Sequence, residues 1–93
     1  MTSTPHDQGW QSFLALCHAQ ETNADLIHFF DLFLTDEEKQ NLATRVLLIQ
    51  ALLENKLTQR EIAKKLNVSI AKITRGSNML KRMDKVFLSK LLR

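Results

Sequence analysis

Proline, glycine and cysteine are scarce in this 93-residue chain: one Pro, two Gly and one Cys, with no Tyr at all. With so few turn formers and few β-branched runs, a sheet joined by tight hairpins is excluded, and the chain reads as all-α. A single Cys excludes an intrachain disulfide. Cys17 falls in an apolar helical pattern without a basic neighbour to activate it, which fits a reducing, cytoplasmic setting. No apolar run is long enough to span a bilayer, and no basic start leads into an apolar core, so neither an anchor nor a secretory leader is expected. His18 and His28 stand without a Cys or carboxylate pattern around them, so no metal site is expected. No nucleophile–base pair is legible either, and an enzyme is not expected.

What is present is apolar mass and segregated charge. The length allows one domain, small enough that a lone chain buries only a modest share of its surface, yet 44% of the residues are hydrophobic. Net charge is +3, but residues 1–54 carry two Lys or Arg against eight Asp or Glu, and residues 55–93 carry eleven against two. This describes an acidic scaffold with a basic head, and a basic head points to nucleic acid.

Along the chain, residues 1–8 are polar, hold Pro5 and lack Lys and Arg, and are expected to be a disordered arm before one helical domain over 9–93. Trp10, Phe13, Leu14 and Cys17 form the stripe of a first helix, about 9–20, with Trp10 read as core. A second helix over about 24–34 carries Leu26, Ile27, Phe29, Phe30, Phe33 and Leu34. Thr35 with Glu38 then suits a capping box, and Asp36, Glu37 and Glu38 suit the positive end of a third helix running to about Glu54. In that helix Leu42, Val46, Ile49 and Leu53 make one stripe, while Leu47, Leu48, Ala51 and Leu52 cover much of the rest. A helix so apolar needs cover on several sides. A chain this short cannot supply it, so an intimate homodimer is expected. Asn55 ends the helix. After Lys81, Met83, Val86, Phe87, Leu88, Leu91 and Leu92 predict a sixth and last short helix whose apolar side returns to the dimer.

Residues 58–81, TQREIAKKLNVSIAKITRGSNMLK, organise the rest. Thr58 and Glu61 make a capping box. Ile62 and Leu66 share an inner face beside small Ala63, Asn67 tolerates the left-handed turn, and Val68 plugs the angle. Ser69 caps a second helix with Ile73 and Leu80 inward and Ile70, Ala71, Lys72, Thr74 and Arg75 outward. This is the pattern of a DNA-reading helix-turn-helix. Gln59 and Arg60 are placed for phosphates, Ile70, Ala71, Lys72 and Thr74 for the groove, and Asn78 and Lys81 for further backbone contacts. Two residues need a reason: Arg45 in the apolar third helix, either paired there or a boundary residue whose stem reaches solvent, and Gly76 inside a helix, where close approach of a flat ligand would explain it.

QRE and SIAKITRGSN, with LTDEE and ATRV upstream, resemble the bacterial tryptophan repressor family over about 32–81, with ITRGSN the most specific run. That family is itself a standard example of helix-turn-helix docking and of water-mediated base contact. The resemblance implies a six-helix, interlaced homodimer that represses tryptophan biosynthesis or transport genes, with L-tryptophan as corepressor, operator DNA as partner, and no other cofactor. It implies that Arg45 and Arg75 sandwich the indole ring, a face on which guanidinium planes stack well. By the same resemblance Gly76 lies beside the ring and Thr35 near the carboxylate. The carbonyls of Leu32 and Leu34 from the second chain receive the ammonium, and Ile49 lines the pocket. Met79 stands in place of a polar residue near the ammonium, Leu47 in place of a charged one, Asn67 in place of a turn glycine and Lys72 in place of a small hydroxyl residue. Two other readings stay open from the sequence. One is a regulator of the same fold answering to another effector or to none. The other is a helical interaction module that binds no DNA.

Overall fold

The computed structural model describes residues 4–91, and they form six helices with no strand among them. They are α1 (Pro5–His18), α2 (Asn23–Phe33), α3 (Asp36–Glu54), α4 (Gln59–Leu66), α5 (Ile70–Arg82) and α6 (Lys85–Lys90). The all-α, six-helix expectation holds. The described chain divides into two compact units, one ending at Asp36 and the other beginning at Glu37.

In the first unit the helix starts earlier than the polarity of the arm suggested. Thr4 caps α1, its side chain accepting from the Asp7 N–H at 3.1 Å, while the Asp7 carboxylate accepts from the Thr4 N–H at 3.2 Å. Pro5 sits in the first turn, where its missing N–H costs nothing. The expectation of a disordered arm over residues 1–8 is therefore corrected from Thr4 onward: a proline-primed capping box outweighs low hydrophobicity. Met1 to Ser3, like Leu92 in the expected last helix, lie outside the described residues. The break expected at 21–23 falls at 19–22, and Thr22 caps α2 by accepting from the Asp25 N–H at 3.1 Å.

α1 and α2 share an aromatic cluster. Phe29 is buried, with its ring 5.2 Å from Phe13, 5.4 Å from Phe30 and 4.9 Å from Phe33. Trp10 stacks on Phe13 at 5.5 Å yet remains 58% exposed, and no residue of α1 is fully buried. Trp10 is thus half of a core contact rather than core, because one helix-on-helix contact is narrower than the apolar stripe that feeds it.

The second unit is centred on Leu48 of α3, Ile62 of α4 and Ile73 of α5. Ile49, Ala51, Leu52, Leu57, Ala63, Leu66 and Val68 pack around these three. Apart from this cluster α3 stays open: Leu42, Val46 and Leu47 are about half exposed. Asn55 ends α3 in the left-handed region, at φ 56°. In α6 Val86 and Phe87 are exposed and only Leu88 is half-buried, and Leu91, which caps the helix, is exposed too.

Candidate nucleic-acid interface

The helix-turn-helix forms as its residues dictate. The Thr58 hydroxyl accepts from the Glu61 N–H at 3.2 Å, and Glu61 Oε1 accepts from the Thr58 N–H at 3.0 Å, so two otherwise orphaned donors are satisfied. Thr58 holds the Glu61 carboxyl below its ordinary range, through its backbone N–H first and its side chain second. Asn67 closes α4 at φ 53°, ψ 50°, and the Val68 N–H reaches back to the Ala63 carbonyl at 3.0 Å, a Schellman closure. Ser69 caps α5 by accepting from the Lys72 N–H at 3.3 Å. Ile62 and Ile73 are then almost wholly removed from solvent, at 1% and 0% exposed. The two burials set which side of each helix faces out.

On the outer side Ile70, Ala71, Lys72, Thr74 and Asn78 are all exposed, as are Gln59 and Arg60 at the start of α4. Ile70 keeps 47% of its surface although apolar. The Thr74 hydroxyl is turned onto its own helix and donates to the Ile70 carbonyl at 3.0 Å. Gln59 and Lys81, separated by most of the motif, line one groove of about 520 Å³ together with Thr58, Ser77, Leu57, Leu80 and Lys85. Lys85 was missed as a candidate cation; its signal was the short spacing from Lys81 across the Asp84 cap of α6.

The residues singled out for a small molecule divide between the two units. Arg75, Gly76, Ile49, Met79 and Arg45 belong to the second, and Leu32, Leu34 and Thr35 to the first. Gly76 and Ile49 are brought together: a Cβ built on Gly76 would lie 3.6 Å from Ile49 Cδ1, 3.4 Å from Leu52 Cδ1 and only 2.7 Å from Leu48 Cδ2. Gly76 therefore has a structural reason that the sequence did not disclose, since it lets α5 lie against α3 over Leu48. Arg45 and Arg75 are both exposed, so Arg45 does not carry the cost of an unpaired buried charge that its apolar neighbours suggested. Met79, one turn beyond Arg75, is 48% exposed. In the first unit Leu32 is 77% exposed, and Leu34 caps α2 in an extended conformation with its N–H on the Phe30 carbonyl at 2.9 Å. Among the described residues no group of His, Cys, Asp and Glu is placed to hold a metal, and no helix is long and apolar enough to cross a membrane.

Comparison with known proteins joins these observations. The family described as Trp repressor protein matches residues 8–93. A Trp operon repressor homolog of Chlamydia caviae is 51% identical over 87 residues, which is 94% of this chain and 86% of that protein. One of Chlamydia trachomatis serovar D is 52% identical over 81 residues, covering 87% and 86%. A more distant one, of Vibrio campbellii, is 36% identical over 81 residues, covering 87% and 81%.

Proposed function

Because the chain belongs to the Trp repressor protein family, we propose that it is a DNA-binding transcriptional repressor of tryptophan genes, not an enzyme, that binds its operator when L-tryptophan is bound. The observation that carries the reading is the pair α4 and α5. Their inner faces are sealed by Ile62 and Ile73 and their turn is locked at Asn67, which leaves the first turns of α5 clear to enter a major groove. Ile70, Ala71, Lys72 and Thr74 meet base edges, while Gln59, Arg60, Asn78 and Lys81 meet the backbone. The shared groove of Gln59 and Lys81 supports that division, since one phosphate strand can pass both.

The active species is a homodimer. The half-exposed Leu42, Val46 and Leu47 of α3 are the apolar surface that a second copy covers, and two copies present two reading helices to successive major grooves, about 34–36 Å apart in dimers of this motif. L-tryptophan sits between Arg45 and Arg75, with its ring against Gly76 and Ile49 and beside Met79. Thr35 and the Leu32 and Leu34 carbonyls of the second chain hold its carboxylate and ammonium. Support comes from the closeness of Ile49 to Gly76, its Cδ1 3.6 Å from where a Cβ would stand, and from the exposure of both guanidiniums, which are free to stack. Bound there, the ligand braces α5 against the dimer core. Tryptophan and operator then raise each other's affinity by the same factor.

A gel shift on a tryptophan-gene promoter, with and without L-tryptophan, tests this. Arg75→Ala should reduce the ligand's effect by roughly thirtyfold if one stacked guanidinium contributes about 2 kcal/mol. An unchanged response to tryptophan in Arg75→Ala sinks the pocket assignment. No shift of any promoter by the parent protein sinks the repressor.

A further inference from the structure

We infer that Lys72 is a base-reading residue of this chain, donating to a guanine in each half of the bound DNA. The inference rests on the DNA-binding reading above. α5 begins at Ile70 behind the Ser69 cap, so Ile70, Ala71, Lys72 and Thr74 all lie at the end of the helix that meets base edges. Ile73, in their midst, is fully buried, and the other four are exposed.

Hydrogen-bonding capacity separates those four. Ile70 and Ala71 have no polar side-chain atom. Thr74 has a hydroxyl, but its proton is donated to the Ile70 carbonyl at 3.0 Å, so toward DNA it can only accept. Among these side chains Lys72 alone brings donors to a base edge, three of them on one ammonium. In the major groove guanine offers two acceptors side by side, O6 and N7, whereas adenine offers N7 next to a donor, thymine the single acceptor O4 beside its methyl, and cytosine a donor only. A compact cation with several protons therefore selects guanine. Ile70 and Ala71 beside it suit a thymine methyl, a contact that carries no demand for a donor.

Lys72 could instead serve a phosphate, as Arg60 and Lys81 are placed to do. Its position in the helix argues for the base. It is the third residue of α5, while Lys81 stands nine residues further on, about 13.5 Å along the axis at 1.5 Å per residue. The backbone contacts of α5 are thus served from its far end, and the groove from its near end.

Selection of bound duplexes from a randomised library tests this, performed in saturating L-tryptophan with the full chain and with Lys72→Met and Lys72→Arg. The expected result is a guanine at one symmetric position of each half-site for the parent protein and for Lys72→Arg, and no base preference there for Lys72→Met, with the remaining positions unchanged. Binding measured on the selected duplex, and on one with that guanine replaced, should differ roughly tenfold for the parent and hardly at all for Lys72→Met. Circular dichroism confirms that the variant is folded. The inference is overturned if Lys72→Met keeps the same guanine, or if it binds all sequences more weakly with a shallower salt dependence, the mark of a phosphate contact. Recovery of no duplex by the parent protein would overturn the DNA-binding reading itself.

Discussion

Gly76 shows how one missing methyl group positions a helix. Its absent Cβ would approach Leu48 Cδ2 to 2.7 Å, and Leu48 cannot swing aside freely because it is 5% exposed and packed against Ile62 and Ile73. Gly76→Ala gains about 1 kcal/mol of helix propensity and meets an overpacking cost of about 1–3 kcal/mol, so the variant should be less stable by about 1 kcal/mol. Urea unfolding checks this, and in a Leu48→Ala background, where the space has been vacated, the same change should no longer destabilise. Arg45 teaches the converse. A charge among Ala43, Val46, Leu47 and Leu48 reads as buried, but three of these four neighbours on α3 are themselves open, and the guanidinium is exposed with them. The reason for Gly76 does not follow from nearby residues, since it depends on how α5 and α3 cross, and the exposure of Arg45 decides between two readings that its neighbours left open.

The short helices are held at their ends more than along their lengths. α4 has eight residues, too few to persist alone, and its start depends on the Thr58–Glu61 box and its finish on Asn67 in the left-handed region. Because the bond to Thr58 stabilises the ionised Glu61, its folded-state pKa is depressed. The stability it contributes is therefore fully present above the unfolded-state value and is lost as pH falls through the folded one. Thermal unfolding followed between about pH 5 and pH 3 should show a decline in the parent protein that is shallower in Glu61→Gln, since the unfolded carboxyl titrates near 4.3. The cap of α1 is built on the same rule. Thr4, Pro5 and Asp7 spell a helix start as clearly as Thr58 and Glu61 do, and the low hydrophobicity of the arm masked it. Capping was legible at Thr58 and at Ser69, because a cap is a bond between positions three apart.

Taken together, the chain carries more apolar surface than it covers. Val46 at 53% and Leu42 at 50% exposed lie four residues apart on α3, an open stripe that a second copy would close. Analytical ultracentrifugation should find two chains associated at micromolar concentration. Val46→Lys, which puts a charge into that stripe, should shift the population toward single chains and lower the helical signal. A single-chain species for the parent protein across the whole concentration range would remove the dimer. The same variant should also lose tryptophan-dependent DNA binding, because the Leu32 and Leu34 carbonyls are expected to serve the pocket of the other copy.

Residues close in sequence were enough to establish the helical class, the six segments, the turn at Asn67 and the inward faces of α4 and α5. Each of these depends on contacts within a few positions, or on a period of 3.6. The ITRGSN run was enough to point to the family. Packing alone decided that Gly76 yields to Leu48, that Thr74 turns its proton onto Ile70, that Gln59 and Lys81 share one groove, and that Arg45 stands in solvent. Those outcomes depend on the crossing of helices twenty or more residues apart, or on a choice of rotamer, and neither has a periodicity that a linear pattern can carry.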